Sequence, residues 1–303
     1  MNIGWKLAEL HEHGFCVLEA HFPPPLIEAC RHAFWPVLLD HLSSHFREPN
    51  RGPHRHFLPM PFDPPCFAPE FFFDPAILAV MRAAMDDRIV ADQWGCDVPL
   101  AGSQYQEPHV DYQRPLFAEL PDLTLPPYMM VVSFGLIEIT TAHGPLEIAP
   151  GTHRLPRAAA LESVKAGEIP LISIPLEIGD VLIRHPWAVH RGTPNTTDTP
   201  RALATIRYVR RWYADNSRDV NSIPLWLWRT FTPEEQSILR FPWTNGRRAP
   251  HPLRYLLARG PHDQLDAKKF CWLPVRTGGC HLARRAAEGR SIELPEKGRT
   301  RAN

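Results

Sequence analysis

Apolar positions recur with two different periods along the chain. After Pro23-Pro24-Pro25, the side chains Leu26, Cys30, Ala33, Phe34, Val37 and Leu38 return at helical spacing, which predicts a helix opened by proline. Trp5 to Glu12 reads as a shorter helix, Gly14 as a turn, and Phe15-Cys16-Val17-Leu18 as a strand. Pro75 to Asp86 gives a further helix with proline in its first turn. Beyond Arg88 the runs shorten and become rich in β-branched residues: 89–91, 129–134, 171–174, 181–183 and 203–206, parted by Gly, Pro and Asp. The expected class is therefore mainly β with flanking helices, an antiparallel sandwich or barrel whose helices come chiefly from the N-terminal part.

Between these regular parts, residues 48–74 are rich in Pro, His, Arg and Phe and read as a long irregular insertion, a kind of segment that is often functional. Pro224 to Phe241 predicts two short helices, with Thr232 capping the second ahead of Pro233 and Glu234. No linker marks a second domain. The expectation is one domain over 1–282, made of a helical part (1–87), a β core (88–213) and a C-terminal helical segment (214–282), followed by a polar tail (283–303).

Composition narrows the classes. The 33 basic residues balance 33 acidic ones, which excludes the basic footprint of a general nucleic-acid binder. The longest apolar run, Tyr128 to Ile137, is too short to cross a bilayer. Lys6, Glu9 and Glu12 stand where a secretory signal needs an apolar core, so a cytoplasmic protein is expected, without nucleic-acid or membrane partners. The six cysteines (16, 30, 66, 96, 271 and 280) form no C-x-x-C pair and are read as reduced and structural. The 34 prolines argue against a helical bundle.

The candidate chemistry begins at His109-Val110-Asp111. In an extended strand, side chains at i and i+2 share a face, so one strand can bring an imidazole and a carboxylate to one metal. Downstream, Gly179-Asp180 turns into the apolar strand Val181-Leu182-Ile183, and the chain then reaches Trp187-Ala188-Val189-His190. Arg201 follows after a Pro/Asn/Thr turn. A His-x-Asp pair with a distant His is the set that leaves three positions of an iron ion open, and a nearby guanidinium offers a two-point fork for a carboxylate.

Taken in order, these pieces resemble the phytanoyl-CoA dioxygenase family of Fe(II)- and 2-oxoglutarate-dependent oxygenases. The matching residues are Gly14-Phe15, His109-x-Asp111, the run Gly144-Pro145-Leu146-Glu147-Ile148-Ala149-Pro150-Gly151-Thr152-His153-Arg154, Gly179-Asp180, His190 with Gly192, Pro194 and Asn195 behind it, and Arg201 eleven residues past that His. The likeness spans roughly residues 6–213. It implies a double-stranded β-helix (jelly-roll, cupin-like) core, with Fe(II) held by the catalytic residues His109, Asp111 and His190. It further implies 2-oxoglutarate bound through Arg201 and O₂ as oxidant, giving succinate, CO₂ and hydroxylation or another oxidation of a substrate C–H bond. The carboxylate at Asp111 argues for hydroxylation or another C–H oxidation over halogenation, because halogenating relatives carry a small residue there. Gln104, Gln106 and Thr193 are further candidates for co-substrate contact, Thr193 and Asn195 alternatively for bracing the hairpin turn. His185 is a rival to His190, and His153 either nears the iron or steadies its turn. The sequence departs from the family in two ways: Gly192 and Leu203 stand where some relatives place hydroxyl residues, and His143 stands where relatives usually carry Asn.

The substrate expected is a small metabolite, of the kind found in specialised biosynthesis. Arg51, His54, Arg55, His56 and Arg114 stand beside Phe57, Phe62, Phe67, Phe71, Phe72, Phe73, Tyr112 and Phe117, which suits a partly apolar, anionic molecule, or else a solvated loop over a phenylalanine patch. Tyr128 and Trp187 are candidate cavity walls or plain core. Two other classes compete: a metal enzyme on the same barrel that is not an oxygenase (an isomerase or hydrolase), and a binding protein without catalysis.

Overall fold

The computed structural model describes residues 2–43, 49–111, 125–214, 222–241 and 243–244. The expected polar tail, most of the C-terminal segment, and Tyr112, Arg114 and Phe117 lie outside the described residues.

Helix α1 (Ile3–His13) starts where the Asn2 side chain accepts from Trp5 N, and it ends at Gly14. That glycine takes φ +83°, a left-handed conformation that spares it a Cβ clash, and its N–H closes onto Leu10 O. Strand β1 (Phe15–Leu18) follows, then α2 (Pro24–Ser43), which buries Ile27, Cys30, Phe34 and Leu38 on one face. Helix α4 (Pro75–Ala84), after the short α3 (Pro69–Phe73), is capped by the Asp74 carboxylate, which accepts from the N–H groups of Ala76 and Ile77. The strands are β2 (Arg55–Pro59), β3 (Ile89–Pro99), β4 (Met129–Gly135), β5 (Leu146–Ile148), β6 (Ile172–Ile174), β7 (Val181–Arg184), β8 (His190–Gly192) and β9 (Leu203–Arg210), with helix α5 (Arg157–Lys165) between β5 and β6.

These strands form a six-stranded sheet in the order β1-β7-β4-β9-β3-β2 and a three-stranded sheet in the order β6-β5-β8, antiparallel throughout. From β4 to β9 the chain passes back and forth between them: β5, β6 and β8 lie in the small sheet, β7 and β9 in the large one. Strand alternation then sorts the side chains. Val181, Ile183, Ala204 and Ile206 join the main core, with Ile27, Phe34, Phe71, Trp94 and Phe134. Leu182 and Leu203 point the other way and pack with Ile148 and Ile174 of the small sheet. Phe71 stacks on Phe134 with ring centroids 4.7 Å apart, and a buried side chain of this size contributes roughly 1.5–3 kcal/mol by leaving water. The four described cysteines are free and buried. No helix among the described residues is long and apolar enough to cross a membrane.

Three expectations change. The stretch 48–74 is not irregular throughout: β2 pairs with β3 along its length, and α3 buries Phe71 and Phe72. Its charged residues hid the strand, because Arg55 and His56 are themselves buried. Strand β3 runs on well past Ala91, carrying Asp92 and Gln93 inside the sheet. A bulge between Ala91 and Gln93 leaves Asp92 as the extra residue, and Arg207 of β9 meets it with two bonds, Nε–Oδ1 2.6 Å and Nη2–Oδ2 2.8 Å. Helix α5 went unanticipated. The two C-terminal helices do form, Leu225–Trp228 and Pro233–Ile238, with Thr232 and Glu235 completing a capping box.

Candidate metal centre

His109 and Asp111 follow a stretch that hugs β8 without forming a continuous strand. Gln106 N bonds Gly192 O, while His109 and His190 exchange N–H···O bonds at 2.9 Å in both directions. Asp111 N is held by Pro186 O at 2.9 Å. These main-chain bonds bring the ligand atoms of His109, Asp111 and His190 within 4.8 Å of one another, with His190 buried and the other two half-buried.

Each imidazole has a defined tautomer. His109 Nδ1 lies 2.8 Å from Glu107 O, and His190 Nδ1 lies 2.9 Å from Ala188 O. A carbonyl oxygen only accepts, so both Nδ1 atoms carry the proton and both Nε2 atoms keep a lone pair. This is the second-partner arrangement that metal-binding histidines use. His190 Nε2 is 3.7 Å from Asp111 Oδ1. Burial lowers His190 to about 3, with Arg184 pushing the same way, so it stays neutral and available as a ligand. At Asp111 burial works to raise the pKa, but the adjacent Arg184, His190 and His109 outweigh it and hold the carboxyl well below the usual carboxylate range. A neutral imidazole pair and an ionised carboxylate are the donor set a divalent first-row metal requires.

Arg184, at the end of β7, is a site residue that the sequence did not reveal. It shares strand parity with Leu182, which faces the small sheet, and its Nη2 donates to Asp111 Oδ2 at 2.8 Å. Its position at the edge of an apolar run gave no sign of that partner.

Arg201 is fully buried. Its N–H bonds Pro99 O, and its Nη2 donates to Asp97 Oδ2 at 3.2 Å. Its Nε and Nη1 are buried with no partner among the described residues. Arg55 approaches the same Asp97 oxygen with Nη1 at 3.4 Å and crosses to the small sheet, where Nη2 donates to Thr193 O at 2.9 Å. Burial presses the Arg201 pKa down and Asp97 opposes the shift. Two guanidiniums thus share one carboxylate, and Arg201 keeps a positive charge and two unpartnered donors on opposite sides of its guanidinium. Arg55 rests over Gly192, where an added Cβ would lie 2.6 Å from its Nη1.

The remaining candidates are placed as follows. Gln106 uses its side chain on main-chain partners, accepting from Gly192 N at 3.0 Å and donating to Arg51 O at 2.9 Å. The Thr193 hydroxyl donates to Pro145 O at 2.7 Å, and Asn195 ties Pro99 O and Thr199 O. The Gln104 side chain is exposed. His185 stands apart from the cluster, accepting from Trp187 N at 3.1 Å and facing His153 with ring centroids 5.2 Å apart. His153 donates to His11 O and so binds its turn to α1. Tyr128 and Trp187 pack edge to face, 5.0 Å between ring centroids, in a cluster with Met129 and Val209. Beside His109 a cleft of about 330 Å³ opens between Arg51, Arg55, Gln104, Tyr105 and Glu107.

Two facing antiparallel sheets, with a His/Asp/His cluster and a buried arginine between them, define a metal-site protein of the double-sheet type. The chain belongs to the phytanoyl-CoA dioxygenase family, whose pattern matches residues 10–203. Among solved structures it is similar to the epimerase SnoN of nogalamycin biosynthesis, described in complex with Fe³⁺, α-ketoglutarate and nogalamycin RO: 18% identity, 68% of this chain and 83% of that one, TM-score 0.54. The carbocyclase SnoK of the same biosynthesis matches at 17% identity, over 68% and 83%, with TM-score 0.54. HygX from Streptomyces hygroscopicus, with nickel and 2-oxoglutarate bound, matches at 18%, over 69% and 87%, with TM-score 0.51. At these identities the likeness establishes a shared fold.

Proposed function

We propose that this protein is an Fe(II)- and 2-oxoglutarate-dependent dioxygenase that hydroxylates or otherwise oxidises a C–H bond of a small-molecule metabolite in natural-product biosynthesis. The observation that carries the reading is the convergence of the His109, Asp111 and His190 ligand atoms between the same two sheets that bury an unsatisfied Arg201. The family supplies the reaction class, and the similar structures named above, an epimerase and a carbocyclase, show that this fold serves natural-product chemistry.

In this reading His109 Nε2, Asp111 and His190 Nε2 hold the iron. When bound, iron(II), 2-oxoglutarate and O₂ together supply oxidative decarboxylation to succinate and CO₂ coupled to removal of hydrogen from the substrate. Arg201 receives the distal carboxylate of the keto acid on an unpartnered guanidinium N–H, while Asp97, itself met by Arg55, holds the guanidinium through Nη2. The Glu107 and Ala188 carbonyls keep both imidazoles in the ligating tautomer. Ile148, Ile174, Leu182 and Leu203 provide a dry floor between the sheets, which strengthens the ion pairs made there and excludes water from the chemistry. The substrate enters by the cleft beside His109, where Arg51 lies over the Phe57 ring at 5.0 Å and favours an anionic group on a partly apolar body.

The test needs no substrate. Apo-protein loaded anaerobically with Fe(II) is titrated with 2-oxoglutarate while the visible spectrum is recorded, and a saturable charge-transfer band is expected that disappears in His190→Ala and weakens in Arg201→Ala. Bound iron without the band would favour a metal enzyme that does not use 2-oxoglutarate; absence of both would leave a binding protein.

A further inference from the structure

Arg184 makes contacts that its strand does not require. It pairs in register with Phe15 of β1 and Val131 of β4, and those backbone bonds would form with any residue there. Its guanidinium instead engages one oxygen of a candidate metal ligand, Asp111 Oδ2, at 2.8 Å. The other oxygen, Oδ1, is the one that lies toward His190 Nε2, 3.7 Å away. The second terminal nitrogen of Arg184, Nη1, is buried and has no partner among the described residues. A buried guanidinium nitrogen left bare costs free energy, so the fold leaves this donor ready for an acceptor that arrives from outside.

We infer that Arg184 is a two-sided positioning residue of the metal centre: Nη2 holds Asp111 so that it ligates through Oδ1 alone, and Nη1 receives an anionic oxygen of the carboxylate ligand that binds beside the ion. The inference rests on the metal-site reading above. A carboxylate is free to rotate and bring both oxygens to a cation. Fixing Oδ2 by a charge-assisted bond removes that freedom and keeps one more position at the ion open. Arginine suits the task because its planar fork serves two acceptors at once, whereas lysine concentrates its charge at one point.

The experiment compares wild type, Arg184→Gln and Arg184→Lys by anaerobic Co(II) binding isotherms, followed by 2-oxoglutarate titration of the Co(II)-loaded proteins. Thermal unfolding of each apo-protein establishes that the variant is folded. Arg184→Gln should weaken Co(II) by about 10- to 100-fold, the range found when partners of ligating groups are removed. Arg184→Lys should restore Co(II) binding to near wild type, because an ammonium still meets Oδ2, yet leave 2-oxoglutarate about tenfold weaker for want of the second donor. Co(II) bound by folded Arg184→Gln as tightly as by wild type, or more tightly, would overturn the positioning of Asp111. Wild-type affinity for 2-oxoglutarate in Arg184→Lys would overturn the second contact. Failure of wild type itself to bind Co(II) would instead refute the metal-site reading on which the inference stands.

Discussion

His109 and His190 bond each other through their main chains in both directions, N to O at 2.9 Å each way, with their ring centroids 4.5 Å apart. Two imidazoles far apart in sequence are therefore set by a single peptide exchange, and neither backbone moves without the other. The spacing of the two Nε2 atoms is a property of the sheet edge and needs no ion to assemble it. Pre-organisation of this kind lowers the ordering cost of binding a ligand.

Removal of a ligand should abolish the site while leaving the fold in place. Asp111→Ala and His190→Ala are each expected to lose more than about 100-fold in Fe(II) affinity, beyond the 10- to 100-fold cost of losing a supporting partner. Succinate release should fall with it. Metal titration followed by mass-spectrometric detection of succinate checks both. Full iron affinity in Asp111→Ala would show the assignment to be wrong.

Arg201→Gln separates co-substrate from metal. Iron affinity should stay within a few-fold of wild type while 2-oxoglutarate weakens by about 10- to 100-fold, the loss of a charge-assisted hydrogen bond. Isothermal titration of the iron-loaded variant measures this directly, and unaltered keto-acid affinity would remove Arg201 from the pocket.

Gly192→Ala tests how tightly Arg55 is seated. The new methyl would lie 2.6 Å from Arg55 Nη1, so Arg55 must withdraw from Asp97 and Thr193 O or β8 must shift. A loss of about 1–3 kcal/mol in chemical unfolding is expected, typical of overpacking.

Asp92→Asn addresses the bulge in β3. Arg207 would lose its doubly bonded carboxylate inside the sheet, and such a break costs about 3–5 kcal/mol. Denaturant unfolding should show it as a lower midpoint with an unchanged slope.

Stability should fall in mild acid. Burial lowers His185 from its ordinary 6.5 to about 3, helped by His153 and Arg184. The unfolded chain takes up this proton below about pH 6.5, and the folded protein does so only near pH 3. His185 thus contributes stability that is complete above pH 6.5 and is lost as pH falls toward 3, by about 1.4 kcal/mol per pH unit. His153, lowered to about 4, acts in the same direction. Unfolding free energies measured between pH 4 and 7 should give a steep slope in wild type and a shallower one, by about one proton, in His185→Phe.

The His109/Asp111/His190 cluster and the burial of Arg201 beside it were legible because their spacing is stereotyped and their chemistry unusual in apolar strands. The long helices and short strands were legible through periodicity. Arg184 was not, and Arg55 was visible only as one of several cations in the 48–74 stretch. Each is a charge whose partner lies far along the chain, Asp97 or Asp111, and local pattern assigns such a residue to solvent. Strand β2 was hidden for the same reason: Arg55 and His56 are buried beside Leu58, where the pattern demands apolar residues. Gln106 was visible as a polar residue near the site, but its partners are the main chain of Gly192 and Arg51, which no side-chain spacing announces.

Asp97 answers two guanidiniums with one negative charge, and this shortfall sets a filter on what the interior admits. A guest with a terminal carboxylate completes the neutrality of the compartment. Its amide or methyl ester has almost the same shape yet leaves the compartment cationic. If the proposed function holds, discrimination between a keto diacid and its uncharged derivatives follows from the ratio of arginines to aspartates before any contact with the guest is made, whichever substrate the neighbouring cleft has been shaped to take.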